Sequence, residues 1–101
     1  MKNYVIYATD SFKKLFETLD KKEQRWIMKM RAQLEESITG KPLRFDWFRE
    51  KKFENKRLYL LVDQEGKKVL LVSFASKKDQ EKIIEFIINN KGELFNLLRS
   101  F

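Results

Sequence analysis

The chain has 101 residues, of which 43% are hydrophobic, enough for one compact core and too many for a disordered chain. Its formal charge of +7 favours a polyanionic partner, nucleic acid first, and the absence of Cys and His removes disulfides, thiolate chemistry, the usual zinc sites and the ordinary neutral-pH acid–base residue. No apolar run approaches the ~18 residues of a membrane span, and the N-terminal stretch is too short and polar for a signal peptide, so a single cytoplasmic domain over residues 1–101 is expected, with no membrane partner, metal or cofactor.

Tyr4–Ala8 is a short run of β-formers and predicts a first strand buried on both faces. Thr9, Asp10 and Ser11 supply helix-starting side chains. Phe12, Leu15, Phe16 and Leu19 then share one helical face. Asp20 and Glu23 have capping-box spacing and open a second helix, from Lys21 to about Ile38. Its buried stripe is Trp26, Ile27, Met30, Leu34 and Ile38, with Trp26 and Met30 assigned to core packing. Gly40 is placed as a left-handed terminator, and Pro42 forbids continuation.

Leu43–Phe53 predicts the second strand. Trp47 and Phe53 have the parity of Phe45, Arg49 and Lys51, whereas Phe48, Glu50 and Lys52 fall opposite. Charge on both faces marks an edge, a bulged strand, or a strand whose exposed face has a task. Glu54-Asn55-Lys56 makes a turn. Arg57–Asp63 and Lys68–Phe74 are the third and fourth strands, joined by a tight turn in which Gly66 is available for positive φ. Ser76 and Asp79 open a third helix rich in Ile, stopped at Asn89–Gly92. A last helix, about Glu93–Arg99, either closes the core, the favoured reading, or offers a docking face for another chain. The order β-α-α-β-β-β-α-α predicts an α+β domain, an N-terminal strand and helix hairpin packed on an antiparallel sheet, with helices on one side.

Between Lys41 and Arg57 there are seven basic residues (Lys41, Arg44, Arg49, Lys51, Lys52, Lys56, Arg57) against three acidic (Asp46, Glu50, Glu54), a local +4. Trp47, Phe48 and Phe53 are interleaved with them. Cations for phosphates and aromatic faces for bases suit single-stranded RNA; a solvated edge strand beside a core would also look basic and aromatic. Lys77 and Lys78, with Gln80 after them, sit where the fourth strand passes into a helix, the wrong sign there for stability alone and suited to an anion site. Arg57 opens the third strand near Lys52, where a guanidinium could clamp a phosphate or pair with Glu54 or Asp63.

The segments Gly40–Arg44 (GKPLR), Lys56–Asp63 (KRLYLLVD) and Val69–Gln80 (VLLVSFASKKDQ) together resemble the RelE/ParE superfamily of toxins from type II toxin–antitoxin systems, closest to its HigB-like branch. The resemblance covers the chain up to about Lys91. It implies the RelE-like fold and a ribosome-dependent mRNA endoribonuclease that inhibits translation, needs no cofactor and is neutralised by a cognate antitoxin. In such enzymes the mRNA 2′-OH attacks the adjacent phosphate. Lys52, Arg57 and Lys78 match the functional basic positions and are the expected catalytic residues, with Arg44, Arg49, Lys51, Lys77 and Gln80 as RNA-binding residues. Arg57 would stabilise the phosphate, and a Lys with pKa lowered by surrounding cations, or Glu50 or Tyr59, would do acid–base work. Two departures stand out. Where relatives carry His or Tyr near the start of the C-terminal helix this chain has Lys82, Ile83 and Ile84, and Asp79 replaces a small hydroxyl residue. Two other classes fit the same resemblance: a ParE-like inhibitor of DNA gyrase, which needs no phosphate site, and a catalytically inactive toxin-like binding protein.

Overall fold

The computed structural model describes residues 2–101. The elements are β1 (Val5–Ala8), α1 (Asp10–Thr18), α2 (Lys21–Glu36), β2 (Lys41–Leu43), β3 (Phe45–Phe53), β4 (Lys56–Asp63), β5 (Lys68–Ser76), α3 (Gln80–Asn89) and α4 (Lys91–Arg99), with a single 3-10 turn at Lys77–Asp79. They form one five-stranded sheet in the order β1-β5-β4-β3-β2.

The helix starts follow their side chains. The Thr9 hydroxyl accepts from the Phe12 amide at 3.0 Å. Asp20 accepts from the Glu23 amide at 2.8 Å while the Glu23 carboxylate accepts from the Asp20 amide at 3.3 Å, a complete capping box. Ser76 instead donates to Asp79 at 3.3 Å, so these two side chains satisfy each other rather than cap the helix backbone.

The sheet differs from expectation in four respects. First, β1 pairs parallel to β5, since the α1–α2 hairpin and the β2–β4 strands intervene between them. It is an edge strand with Ile6 buried and Val5 53% exposed, not a strand buried on both faces. Second, the strand predicted over Leu43–Phe53 starts at Phe45, as β3, and an unpredicted strand, β2, precedes it over Lys41–Leu43. The backbone reverses at Arg44, a non-glycine residue at φ 66°, and β2 folds back on β3 as the other sheet edge. Third, helices cover both faces. Leu58, Leu60 and Val62 of β4 meet Phe12, Ile27, Met30 and Leu34 of the α1–α2 hairpin. Tyr59 and Leu61 point the other way, to Ile84 and Ile87 of α3 and Leu94, Phe95 and Leu98 of α4. β4 is buried at every position from Leu58 to Val62, which is the pattern of a strand covered on both faces. Fourth, the β4–β5 turn takes its positive φ at Lys67 (56°), not at Gly66, whose amide donates to the Asp63 carboxylate at 3.1 Å.

A bulge between β4 and β5 serves the site. Tyr59 faces Ser73 and Leu60 faces Leu71, so Val72 is the extra residue. It shifts the alternation of β5, returning Phe74 to the α1–α2 side. Trp26 packs there against Phe53 and Phe74, with ring centroids 4.8 and 5.9 Å apart. α4 begins at Lys91 with Gly92 inside its first turn, earlier than the sequence pattern indicates, and closes the second core.

Candidate nucleic-acid interface

The β3–β4 hairpin turns through Glu54, at φ 55°, and Asn55. Its register sets Lys52 opposite Arg57, Lys51 opposite Leu58 and Glu50 opposite Tyr59. Glu50, Lys52, Arg57 and Tyr59 therefore share the face that α3 covers, and Lys51 and Arg49 point to the α1–α2 side. The turn after β5 lies against the same hairpin, where the Lys77 amide donates to the Asn55 carbonyl at 3.0 Å.

These elements enclose a cleft of about 450 Å³ whose lining includes Lys41, Arg44, Glu50, Arg57, Lys77 and Gln80. Arg57 is buried, and among the described residues its guanidinium makes one hydrogen bond, from Nη1 to the Lys56 carbonyl at 3.1 Å. Its ion-pair partner is Glu50, Nε to Oε2 at 4.0 Å, rather than Glu54 or Asp63. Glu54 pairs with Lys22 at 2.9 Å, and Asp63 with Arg99 at 3.7 Å. The Glu50 carboxylate is fixed by the Gln80 amide, Nε2 to Oε2 at 2.7 Å. The result is a loosely paired guanidinium, with donors to spare, beside a carboxylate held by a neutral donor. Such a pair can bind an oxyanion and accept a proton next to it.

Tyr59 lies beneath. It is wholly buried, and among the described residues its hydroxyl has no hydrogen-bond partner. Burial, reinforced by the Glu50 carboxylate, pushes its pKa up to about 12. The shift holds Tyr59 in its protonated form. Folding favours its protonated form, so wild-type stability should fall as pH rises from about 10 to 12. Tyr59→Phe should lose that part of the alkaline decline, and it removes an orphaned buried hydroxyl, so it should melt no lower than wild type near neutrality. Thermal melts of the two proteins across pH 7–12 check both statements.

The expected site residues divide. Arg44, Arg57, Lys77 and Gln80 line the cleft. Lys52, exposed, sits across from Arg57 in the hairpin, and Lys51 and Lys52 line an adjoining recess together with Arg57. Lys78, exposed, is on the turn beside Lys77 but lines neither space. Arg49 is turned away and bonded to backbone, Nε to the Asp46 carbonyl at 3.0 Å and Nη1 to the Gly40 carbonyl at 3.3 Å, where it braces β2 against β3. Lys51 carries a lowered pKa, but its cause is burial rather than neighbouring cations, and its ammonium donates to the Thr39 hydroxyl. Gln80 faces Glu50 rather than open solvent. Lys41 was counted in the basic cluster and given no role, yet it belongs to both spaces. The i, i+2 alternation of Glu50 and Lys52 with the short turn after Phe53 was the signal for Glu50. The Glu50–Gln80 contact spans 30 residues and had none.

With this geometry in view, comparison with solved structures gives a consistent answer. The free E. coli toxin RelE, in an arginine-to-alanine double variant, superposes with a TM-score of 0.67 at 19% identity, over 80% of this chain and 90% of that one. Isolated E. coli RelE gives 0.64 at 18%, over 82% and 98%. The toxin–antitoxin complex RelBE2 of Mycobacterium tuberculosis gives 0.63 at 18%, over 76% and 94%. The chain has the fold of the RelE toxins; at these identities the likeness is one of fold and does not single out the HigB-like branch. No protein-family model and no curated protein matches the sequence. No helix among the described residues is long and apolar enough to cross a membrane.

Proposed function

We propose that this chain is the toxin of a type II toxin–antitoxin pair and cuts mRNA on the ribosome. The observation that carries this reading is the buried, loosely paired Arg57 beside Glu50 on the floor of a cleft rimmed by Arg44 and Lys77. The RelE fold supports it, and two of the structures with that fold are complexes with an antitoxin.

In the reaction, RNA enters along the basic rim and its scissile phosphate meets the Arg57 guanidinium. The 2′-OH attacks phosphorus and gives its proton to the Glu50 carboxylate. The phosphorus–5′-oxygen bond breaks, leaving a 2′,3′-cyclic phosphate, and the departing oxygen takes a proton from the neighbouring Lys52 ammonium. Protons and charges balance without an added group. Arg57 stabilises the negative charge that grows on the phosphoryl oxygens, and Gln80 holds Glu50 in place. Arg44, Lys51 and Lys77 grip flanking phosphates. Arg49, tied to backbone, contributes to the shape of the rim. The antitoxin would be an acidic segment laid over this basic face.

The test is induction of the chain in growing cells, followed by mapping of transcript 5′ ends. New ends inside translated reading frames, and rescue by a co-expressed antitoxin, are expected. Intact transcripts with an induced DNA-damage response would overturn the reading in favour of gyrase inhibition. Intact transcripts with unimpeded growth would leave an inactive binding module.

A further inference from the structure

We propose that the recess on the other side of Arg57 is a nucleobase subsite, with the Trp26 indole as its stacking surface. The inference rests on Arg57 as the phosphate-binding group. That recess measures about 490 Å³, and it shares Lys41, Glu50 and Arg57 with the first cleft. Arg57 therefore lines two spaces of similar size. A phosphodiester bound there has one nucleotide on either side, and each has a space to enter.

The two linings differ in chemistry. Beside the shared residues, the first offers Arg44, Lys77 and Glu81 with the aliphatic Pro42, Leu43 and Ile84, and its lining holds no aromatic ring. The second offers Trp26 and Met30, a flat ring and a polarisable thioether, with Lys51 and Lys52. An aromatic face with cations at its rim is what single-stranded nucleic acid uses for stacking and phosphate contact together. The recess exists because β2 stops short. Its pairing with β3 starts at Lys41–Glu50, so Lys51–Phe53 have no strand on that side. Trp26 is consequently half-buried rather than sealed. Phe53 and Phe74 brace it at 4.8 and 5.9 Å between ring centroids, which fixes the ring before any base arrives. Packing in the core explains the braced side of Trp26. It does not explain an opening lined by cations.

The protein's two tryptophans allow a direct test by indole N–H NMR, with Trp47→Phe assigning the signals. The probe is a 2′-O-methyl RNA hexanucleotide, which lacks the attacking hydroxyl. Its addition should shift the Trp26 signal, and inorganic phosphate alone should not. Trp26→Leu keeps an apolar side chain without the flat face and should weaken hexanucleotide binding roughly five- to a hundredfold, the range for one base–aromatic contact. A hexanucleotide that shifts the Gln80 and Ile84 amides but leaves the Trp26 indole in place would overturn the subsite and spare the Arg57 site. Equal binding by a folded Trp26→Leu variant would do the same. No binding to either space would overturn both readings.

Discussion

Arg57→Ala is expected to lower mRNA cleavage at least a hundredfold and to abolish growth arrest. The loss follows from where the guanidinium stands. It is buried, among the described residues it makes a single hydrogen bond, and its pairing with Glu50 is long at 4.0 Å. Removing one preorganised donor from a developing oxyanion costs about 10²–10³ in rate. Arg57→Lys should recover little. An ammonium keeps the charge but loses the planar fork that meets two phosphate oxygens at once. Glu50 remains bonded to Gln80 in either variant, so the fold should persist, and a thermal melt separates lost chemistry from lost structure. Lys78→Ala should cost much less, because Lys78 is exposed and lines neither space around Arg57. Transcript mapping for each variant is the measurement. Cleavage by Arg57→Ala at the wild-type rate would remove Arg57 from the mechanism.

Local chemistry carried much of this architecture. The capping box at Asp20 and Glu23, the Thr9 start of α1 and the runs of β4 and β5 each follow from side chains within a few residues of one another. The Lys52–Arg57 pairing was readable for the same reason: a short turn sets the register of the hairpin that holds both. What could not be read depends on distant partners. The parallel pairing of β1 with β5 joins residues more than sixty positions apart. The second helical layer follows from α3 and α4 folding across the far face of the sheet, although the unbroken apolar run from Leu58 to Val62 was a sign of it. Arg44 takes a positive φ with no glycine to announce it, and so the reversal that makes Lys41–Leu43 a separate strand ahead of β3 was hidden. At the site, cation-rich composition pointed to the right region. It did not separate Arg57, facing the cleft, from Arg49, bonded to the backbone at Asp46 of β3 and at Gly40 ahead of β2.

Gly40→Ala should damage stability and activity together, through one contact. Gly40 does not end α2, which stops at Glu36; it lies three residues past the helix cap at Ser37, with φ +107°. A Cβ built there would stand 2.8 Å from the Glu50 carbonyl oxygen and 3.1 Å from Lys51 Cγ. The carbonyl belongs to β3 backbone and cannot turn aside. The backbone conformation is itself unfavourable for an L side chain. The two effects together should cost about 1–3 kcal/mol, or a melting point lower by roughly 5–20 °C for a domain of this size. Relief would come by moving Gly40 and Lys41 away from β3. That shift loosens the Lys41–Glu50 pairing and the bond from Arg49 to the Gly40 carbonyl, and it widens both spaces around Arg57. Cleavage should therefore fall even at temperatures where the variant remains folded. Gly92→Ala is the matched control. It lies in the first turn of α4 with nothing within 4 Å of its added methyl, and alanine there should be neutral or stabilising by up to ~1 kcal/mol. If both alanine variants melt with the wild type, β3 does not lie against Gly40, and the wall common to the two spaces is placed wrongly.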